Sequence, residues 1–129
     1  KKILEFSKTK NKNFKLVKSL GSEMYFSILK SSDIIIGNSS SGILEAPSAK
    51  TPTLNIGNRQ LGRVFGPSVF QCDLEEKQIS KCILKILKKK NIKFKNPYYK
   101  KNTSSKMISL CKKIVLKKNE VFKKFYDVK

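Results

Sequence analysis

The chain contains no histidine, no tryptophan and only three cysteines, and among its 29 basic residues only Arg59 and Arg63 are arginines. Without histidine there is no imidazole for a zinc ligand set or for a Ser-His-Asp relay. Cys72, Cys82 and Cys111 form no CxxC pair, and an odd number of distant thiols builds no disulfide framework. A reducing, cytoplasmic location is therefore expected. No apolar run approaches the ~20 residues of a membrane span, and the N-terminal residues lack the apolar core of a signal peptide. A metal centre, a redox disulfide and a membrane partner are thus set aside, and no cofactor is implied.

Acidic residues are also scarce, nine against 29 basic ones, for a formal net charge of +20. Such an excess raises nucleic acid as a partner. The excess is almost all lysine, however, spread over polar helix faces and loops. Reading bases or phosphates in a bidentate way favours arginine, and no aromatic residues interleave with the lysines as a stacking platform. Nucleic acid is accordingly disfavoured, and a solvated lysine-rich surface is the simpler account. At 129 residues and 39% hydrophobic content the chain is one domain or a piece of one.

What is present centres on Ile34-Ile35-Ile36-Gly37-Asn38-Ser39-Ser40-Ser41-Gly42-Ile43-Leu44-Glu45, where an apolar run breaks into glycine and serines and then resumes helical spacing. This reads as strand, tight turn and helix. Such a junction leaves N–H groups unpaired at a helix start, beside small hydroxyls, and suits a phosphate or pyrophosphate. Ordinary N-capping by serine is the competing account.

Upstream, Lys1–Lys10 reads as the end of a helix. Phe14–Val17 alternates as a strand candidate, and Ser22 can cap a helix carrying Met24, Tyr25, Ile28 and Leu29. Three β-branched residues in a row, Ile34–Ile36, fit a parallel strand covered on both faces. Pro47 should kink or end the helix after the serine turn. Thr51–Ile56 is the next strand, Gly57–Arg63 a polar loop at its end, and Val69–Cys72 a last short strand. From about Glu75, the positions Ile79, Cys82, Ile83, Ile86 and Leu87 give an amphipathic helix. Asn96-Pro97-Tyr98 breaks the pattern, and a second helix carries Met107, Ile108, Cys111, Ile114 and Val115, extending toward Val121, Phe122 and Phe125. Cys82 and Cys111 are expected as core thiols.

This βα alternation predicts an α/β fold, a Rossmann-like parallel sheet with flanking helices, in which ligands sit beyond the carboxyl ends of the strands. Leu20-Gly21, Gly37–Gly42 and Gly57–Arg63 are the three loops expected at that edge. Ser39, Ser40 and the amides through Gly42 can donate to a diphosphate, with Asn38 and Ser41 as neighbours in the same turn. Glu45 can accept two ribose hydroxyls or serve as a first-turn acid. Arg59, an arginine in a chain that uses lysine elsewhere, suits clamping phosphate oxygens, with Arg63 as a second clamp or an ion-pair partner. Leu20 and Gly21 can offer backbone bonds to a base.

The run from Gly37 to Ser48, followed by Thr51-Pro52-Thr53-Leu54-Asn55-Ile56-Gly57-Asn58-Arg59-Gln60-Leu61-Gly62-Arg63, strongly resembles the hydrolysing UDP-N-acetylglucosamine 2-epimerases of sialic and legionaminic acid biosynthesis, from about Phe14 to Leu87. The resemblance implies two Rossmann-like domains in a GT-B arrangement, of which residues 1–95 form part of the second, UDP-binding one, and 96–129 a C-terminal helix and basic tail. Ser39 and Ser40 match the serines on the diphosphate, Glu45 the glutamate on the ribose, Arg59 the arginine facing the phosphates and Leu20 the position whose backbone meets uracil. Where the family reads Asn-Pro-Tyr-Gly-Asp-Gly this chain has Asn96-Pro97-Tyr98-Tyr99-Lys100-Lys101, so no ligand role is carried to that loop. The carboxylates for C2 proton abstraction and anomeric cleavage come largely from the family's first domain, so no catalytic residue is assigned here.

The implied partners are UDP, a UDP-N-acetylhexosamine, the N-terminal Rossmann domain and a homo-oligomer of the full-length enzyme. The alternatives are a nucleotide-sugar-binding module without catalysis and, ranked below it, a basic nucleic-acid-binding fragment.

Overall fold

The structure, a computed structural model, describes residues 2–9 and 12–116. The chain divides into two units, one through Pro97 and one from Tyr98 onward. The first unit opens with helix α1 (Lys2–Ser7) and continues with α2 (Gly21–Ser31), strand β1 (Ile35–Gly37), α3 (Ser41–Leu44), α4 (Ala46–Ala49), β2 (Thr53–Ile56), β3 (Val69–Cys72) and α5 (Glu76–Leu87). The second carries α6 (Thr103–Leu116). The positions beyond Leu116 into which this helix was expected to extend lie outside the described residues.

The strands form one parallel sheet in the order β1-β2-β3. Ile35 pairs with Thr53, Gly37 with Asn55, Thr53 with Val69 and Ile56 with Cys72. Side chains alternate between faces along β2, so the sheet has two unlike sides. Leu54 meets Cys72 and Ile86 of α5 on one, with Ile34, Ile56, Phe70, Ile79, Cys82, Ile83 and Ile92 packed around them. Thr53 points to the other and donates from Oγ1 to the Gly42 carbonyl at 2.6 Å. There the buried Ile43, Ala46 and Leu29 supply the apolar contacts of α3, α4 and α2. Thr51 fastens this layer from below, its Oγ1 donating to the Leu29 carbonyl at 2.5 Å.

The fold thus meets the expectation of an α/β parallel sheet with flanking helices, and three strands and the amphipathic α5 fall where periodicity put them. Four details differ. Phe14–Val17 joins no strand: Phe14 packs edge-to-face on Phe6 at 5.0 Å, and Leu16 and Val17 stay exposed. Weak alternation without a partner strand does not hold an extended segment. The helix expected to be capped by Ser22 begins two residues earlier, with Leu20 at the N-cap and no side-chain capping bond. Cover on both faces fails at Ile36, which is 44% exposed because α5 packs on β2 and β3. Cys111 is exposed, not a core thiol, since α6 buries none of its residues among those described.

Beyond α5 the chain returns to the opposite layer. Lys95 brings its carbonyl against Gly66, where an added Cβ would lie 2.4 Å from that oxygen. Asn96 then donates from Nδ2 to the Leu44 carbonyl at 2.8 Å and to Ser48 Oγ at 2.7 Å. This strap joins the end of the α5 side to the α3–α4 side. Among the described residues no helix is long and apolar enough to cross a membrane.

Candidate functional site

The site is built at the carboxyl ends of β1 and β2. Past Gly37 the chain turns through Asn38 and Ser39 into α3, which lasts only four residues. Its shortness follows from Pro47: a proline cannot donate back along the helix, and the chain breaks at Glu45, the hinge between α3 and α4. A four-residue helix carries little macrodipole, so anion affinity here rests on individual donors. Ser39 Oγ accepts the Ser41 amide at 3.3 Å, and the Ser39 carbonyl accepts the Gly42 amide at 3.3 Å. The amides of Ser39 and Ser40 meet no acceptor among the described residues. Gly42 is required here, because a Cβ would fall 2.6 Å from Thr53 Cγ2.

Glu45 is half-buried and sits in a short relay. Ser41 Oγ donates to Glu45 Oε2 at 2.5 Å, which commits the serine hydrogen, so the Tyr25 hydroxyl donates to Ser41 Oγ. One carboxylate oxygen is thereby fixed and the other is left to accept. The Ser41 hydroxyl, a secondary ligand candidate from the sequence, is engaged within the protein.

At the end of β2, Gly57 adopts φ 72°, a conformation side chains resist, and turns the chain into the loop that carries Arg59. The Gly57 carbonyl accepts Gln71 Nε2 at 2.6 Å, and Gln71 Oε1 in turn accepts Asn55 Nδ2 at 2.7 Å. Gln60, only 5% exposed, reaches across the strand ends and donates from Nε2 to the Asn38 carbonyl at 2.7 Å. The two loops so joined border a cleft of about 390 Å³ lined by Gly37, Asn38, Ile56, Gly57, Asn58, Arg59 and Leu74. Arg59 is exposed and forms no ion pair or side-chain hydrogen bond among the described residues. Ser39 and Gly42 border a smaller hollow of about 40 Å³ that shares Gly37 with the cleft.

The structure therefore brings Asn38 and Arg59 to one cleft, with Ser39 and Gly42 beside it. Leu20 and Gly21, at the start of α2, follow no strand and are not among the cleft's lining residues, and neither is Arg63. Two residues of the arrangement went unmarked in the sequence. Tyr25 read as an apolar helix position, and Gln60 read as one more polar loop residue. Its place beside the lone arginine of a glycine-bounded loop was the only signal available.

Away from the cleft, burial pushes the Cys72 thiol above its usual range, and the neighbouring Cys82 adds to this through a hydrogen bond and its charge.

The profile of the UDP-N-acetylglucosamine 2-epimerase family matches residues 1–112. The polysialic acid biosynthesis protein P7 of Escherichia coli is 39% identical over 92% of this chain and 32% of its own length. The hydrolysing UDP-N,N'-diacetylbacillosamine 2-epimerase of Legionella pneumophila is 34% identical over 79% of this chain and 27% of its own. The GDP/UDP-N,N'-diacetylbacillosamine 2-epimerase (hydrolyzing) of Campylobacter jejuni is 45% identical over 48% of this chain and 16% of its own. The chain thus spans a third or less of these relatives. With a match running through both strand-end loops and across most of its length, the chain belongs to the UDP-N-acetylglucosamine 2-epimerase family.

Proposed function

We propose that this chain supplies the UDP-binding side of a hydrolysing UDP-N-acetylhexosamine 2-epimerase of the cytoplasm, and that it turns over no substrate alone. The observation that carries the reading is the cleft at the ends of β1 and β2, whose lining includes both Asn38 and Arg59, the latter unengaged among the described residues. Its volume lies within the roughly 300–1,000 Å³ common for small-molecule sites. Family membership supports UDP as the ligand. In this reading residues 1–95 form the nucleotide-binding part and residues 96–129 a C-terminal helix and basic tail.

In the reaction so assigned, a base removes the C2 proton of the sugar and the anomeric C–O bond breaks, its electron pair passing to the β-phosphate as UDP departs. Water then adds across the resulting C1=C2 bond, hydroxyl to C1 and proton to C2 on the opposite face, which yields the epimeric free sugar. This chain's share is electrostatic. The Arg59 guanidinium, the Ser39 and Ser40 amides and the Ser40 hydroxyl stabilise the charge that gathers on the diphosphate. Glu45, held by Ser41 and Tyr25, takes the ribose hydroxyls, and the backbone at Leu20 meets the base. Gly21, Asn38, Gly42 and Arg63 are supporting positions. The acid and base that move the C2 proton belong to the rest of the enzyme.

Calorimetric titration with UDP tests the reading. Arg59→Ala should cost about 1.5–3 kcal/mol of affinity, the range for a hydrogen bond to a charged group. Identical isotherms for the parent and Arg59→Ala would remove the role. Product formed from UDP-N-acetylglucosamine by the chain alone, at a rate above buffer, would overturn its proposed inactivity.

A further inference from the structure

Resting on the nucleotide reading above, we infer that Gln60 is the positioning residue that presents Arg59 to the diphosphate, by locking the arginine loop onto the carbonyl of Asn38. Three observations lead there. Arg59 has no side-chain partner of its own among the described residues. Its loop is bounded by Gly57 and Gly62, with φ 72° and 84°, so the backbone on either side is intrinsically pliant. Against that pliancy the loop interior has, among the described residues, one side-chain tether to the serine turn, the part-buried 2.7 Å bond from the buried Gln60 Nε2 to Asn38 O. Gln71, on the Gly57 carbonyl, anchors only the loop's first residue.

The tether also couples the two halves of the cleft. Asn38 immediately precedes Ser39 and Ser40, so one amide fixes the distance between the serine turn and the guanidinium. A site held in its productive geometry before the ligand arrives does not lose binding energy to ordering the loop. Glutamine is the residue type this needs. The acceptor is a carbonyl, so glutamate of the same shape cannot donate and would set a carboxylate against the carbonyl oxygen. Asparagine falls short by one methylene.

Two readouts test this on the unmodified chain and on Gln60→Glu and Gln60→Asn. The first needs no ligand. The Leu61 amide bonds to the Asn58 carbonyl at 3.0 Å and the Arg63 amide to the Gln60 carbonyl at 3.3 Å, so hydrogen exchange at these two amides reports the loop. Both variants should speed exchange there about tenfold or more, with α5 unchanged. Unchanged loop exchange, or equal acceleration throughout, overturns the lock.

The second is paired titration with UDP and uridine. Gln60→Glu should weaken UDP about tenfold and leave uridine unaffected. In an Arg59→Ala background it should weaken UDP no further, because residues acting through one another are not additive. Additive losses, or equal losses for uridine, overturn the route through Arg59. If the parent chain ignores UDP, the nucleotide reading and the presentation of Arg59 to it both fall, while loop exchange still decides whether Gln60 is the tether.

Discussion

The two faces of the sheet are built on different principles. On the α5 face Leu54, Cys72 and Ile86 make an apolar seam, in which the contact between the Cys72 and Cys82 thiols is the polar exception. On the α3 face the same strand presents Thr53 and Asn55, both buried, and spends them on hydrogen bonds to Gly42 and Gln71. That polar side is not fully satisfied: Asn55 Oδ1 is buried without a partner among the described residues. Burial of apolar area is non-directional, whereas a hydrogen bond fixes a distance and an angle. The α5 face therefore only stabilises, whereas the α3 face, which also buries Leu29, Ile43 and Ala46, in addition positions the turn and loop at the strand ends.

The largest expected effect is on the apolar side. Leu54→Ala should destabilise the fold by about 2–5 kcal/mol in urea unfolding, the usual range for a fully buried leucine. UDP affinity, corrected for the folded fraction, should not change. Next comes Gly42→Ala, whose methyl group would press on Thr53 Cγ2; a loss of about 1–3 kcal/mol is expected. Thr53→Ser removes that methyl while keeping the hydroxyl, so the pair Gly42→Ala/Thr53→Ser should recover most of the loss.

Thr53→Val sharpens the contrast further. It keeps the shape and deletes one hydrogen bond, for about 1 kcal/mol of stability, yet it should reduce UDP affinity where Leu54→Ala does not. Equal effects of both variants on affinity would erase the distinction between the faces.

The smallest effects concern the thiols. Cys111 should react with a disulfide reagent at the rate of a free thiol, and Cys72 only as fast as the fold opens. A thiol whose folded-state pKa is raised contributes stability that is complete below the unfolded value and is lost as pH rises through the folded value. Cys72 should therefore weaken the fold progressively above about pH 8.5, and Cys72→Val should flatten that part of the stability profile.

What was legible in the sequence follows the same division. Apolar periodicity found α5 and β3, because burying a stripe or a short run is a local signal repeated over several residues. Pro47 announced the break after the serine turn, since a missing N–H acts wherever it lies. The relay from Tyr25 through Ser41 to Glu45 and the reach of Gln60 to Asn38 were not legible. The Tyr25–Ser41 and Gln60–Asn38 bonds join residues far apart in sequence, and one polar atom leaves no periodic trace. Phe14–Val17 shows the opposite failure, a local pattern that meets no partner strand.

The strap after α5 bears on how this chain can be shortened. Asn96 clasps the carbonyl of Leu44, the residue before the Glu45 hinge, so its amide belongs to the scaffold under the acid and not to a dispensable tail. Trimming back to the end of α5, to isolate a minimal nucleotide loop, would unbuckle that hinge from the far side of the sheet. The smallest excerpt that keeps Glu45 in place runs through Asn96.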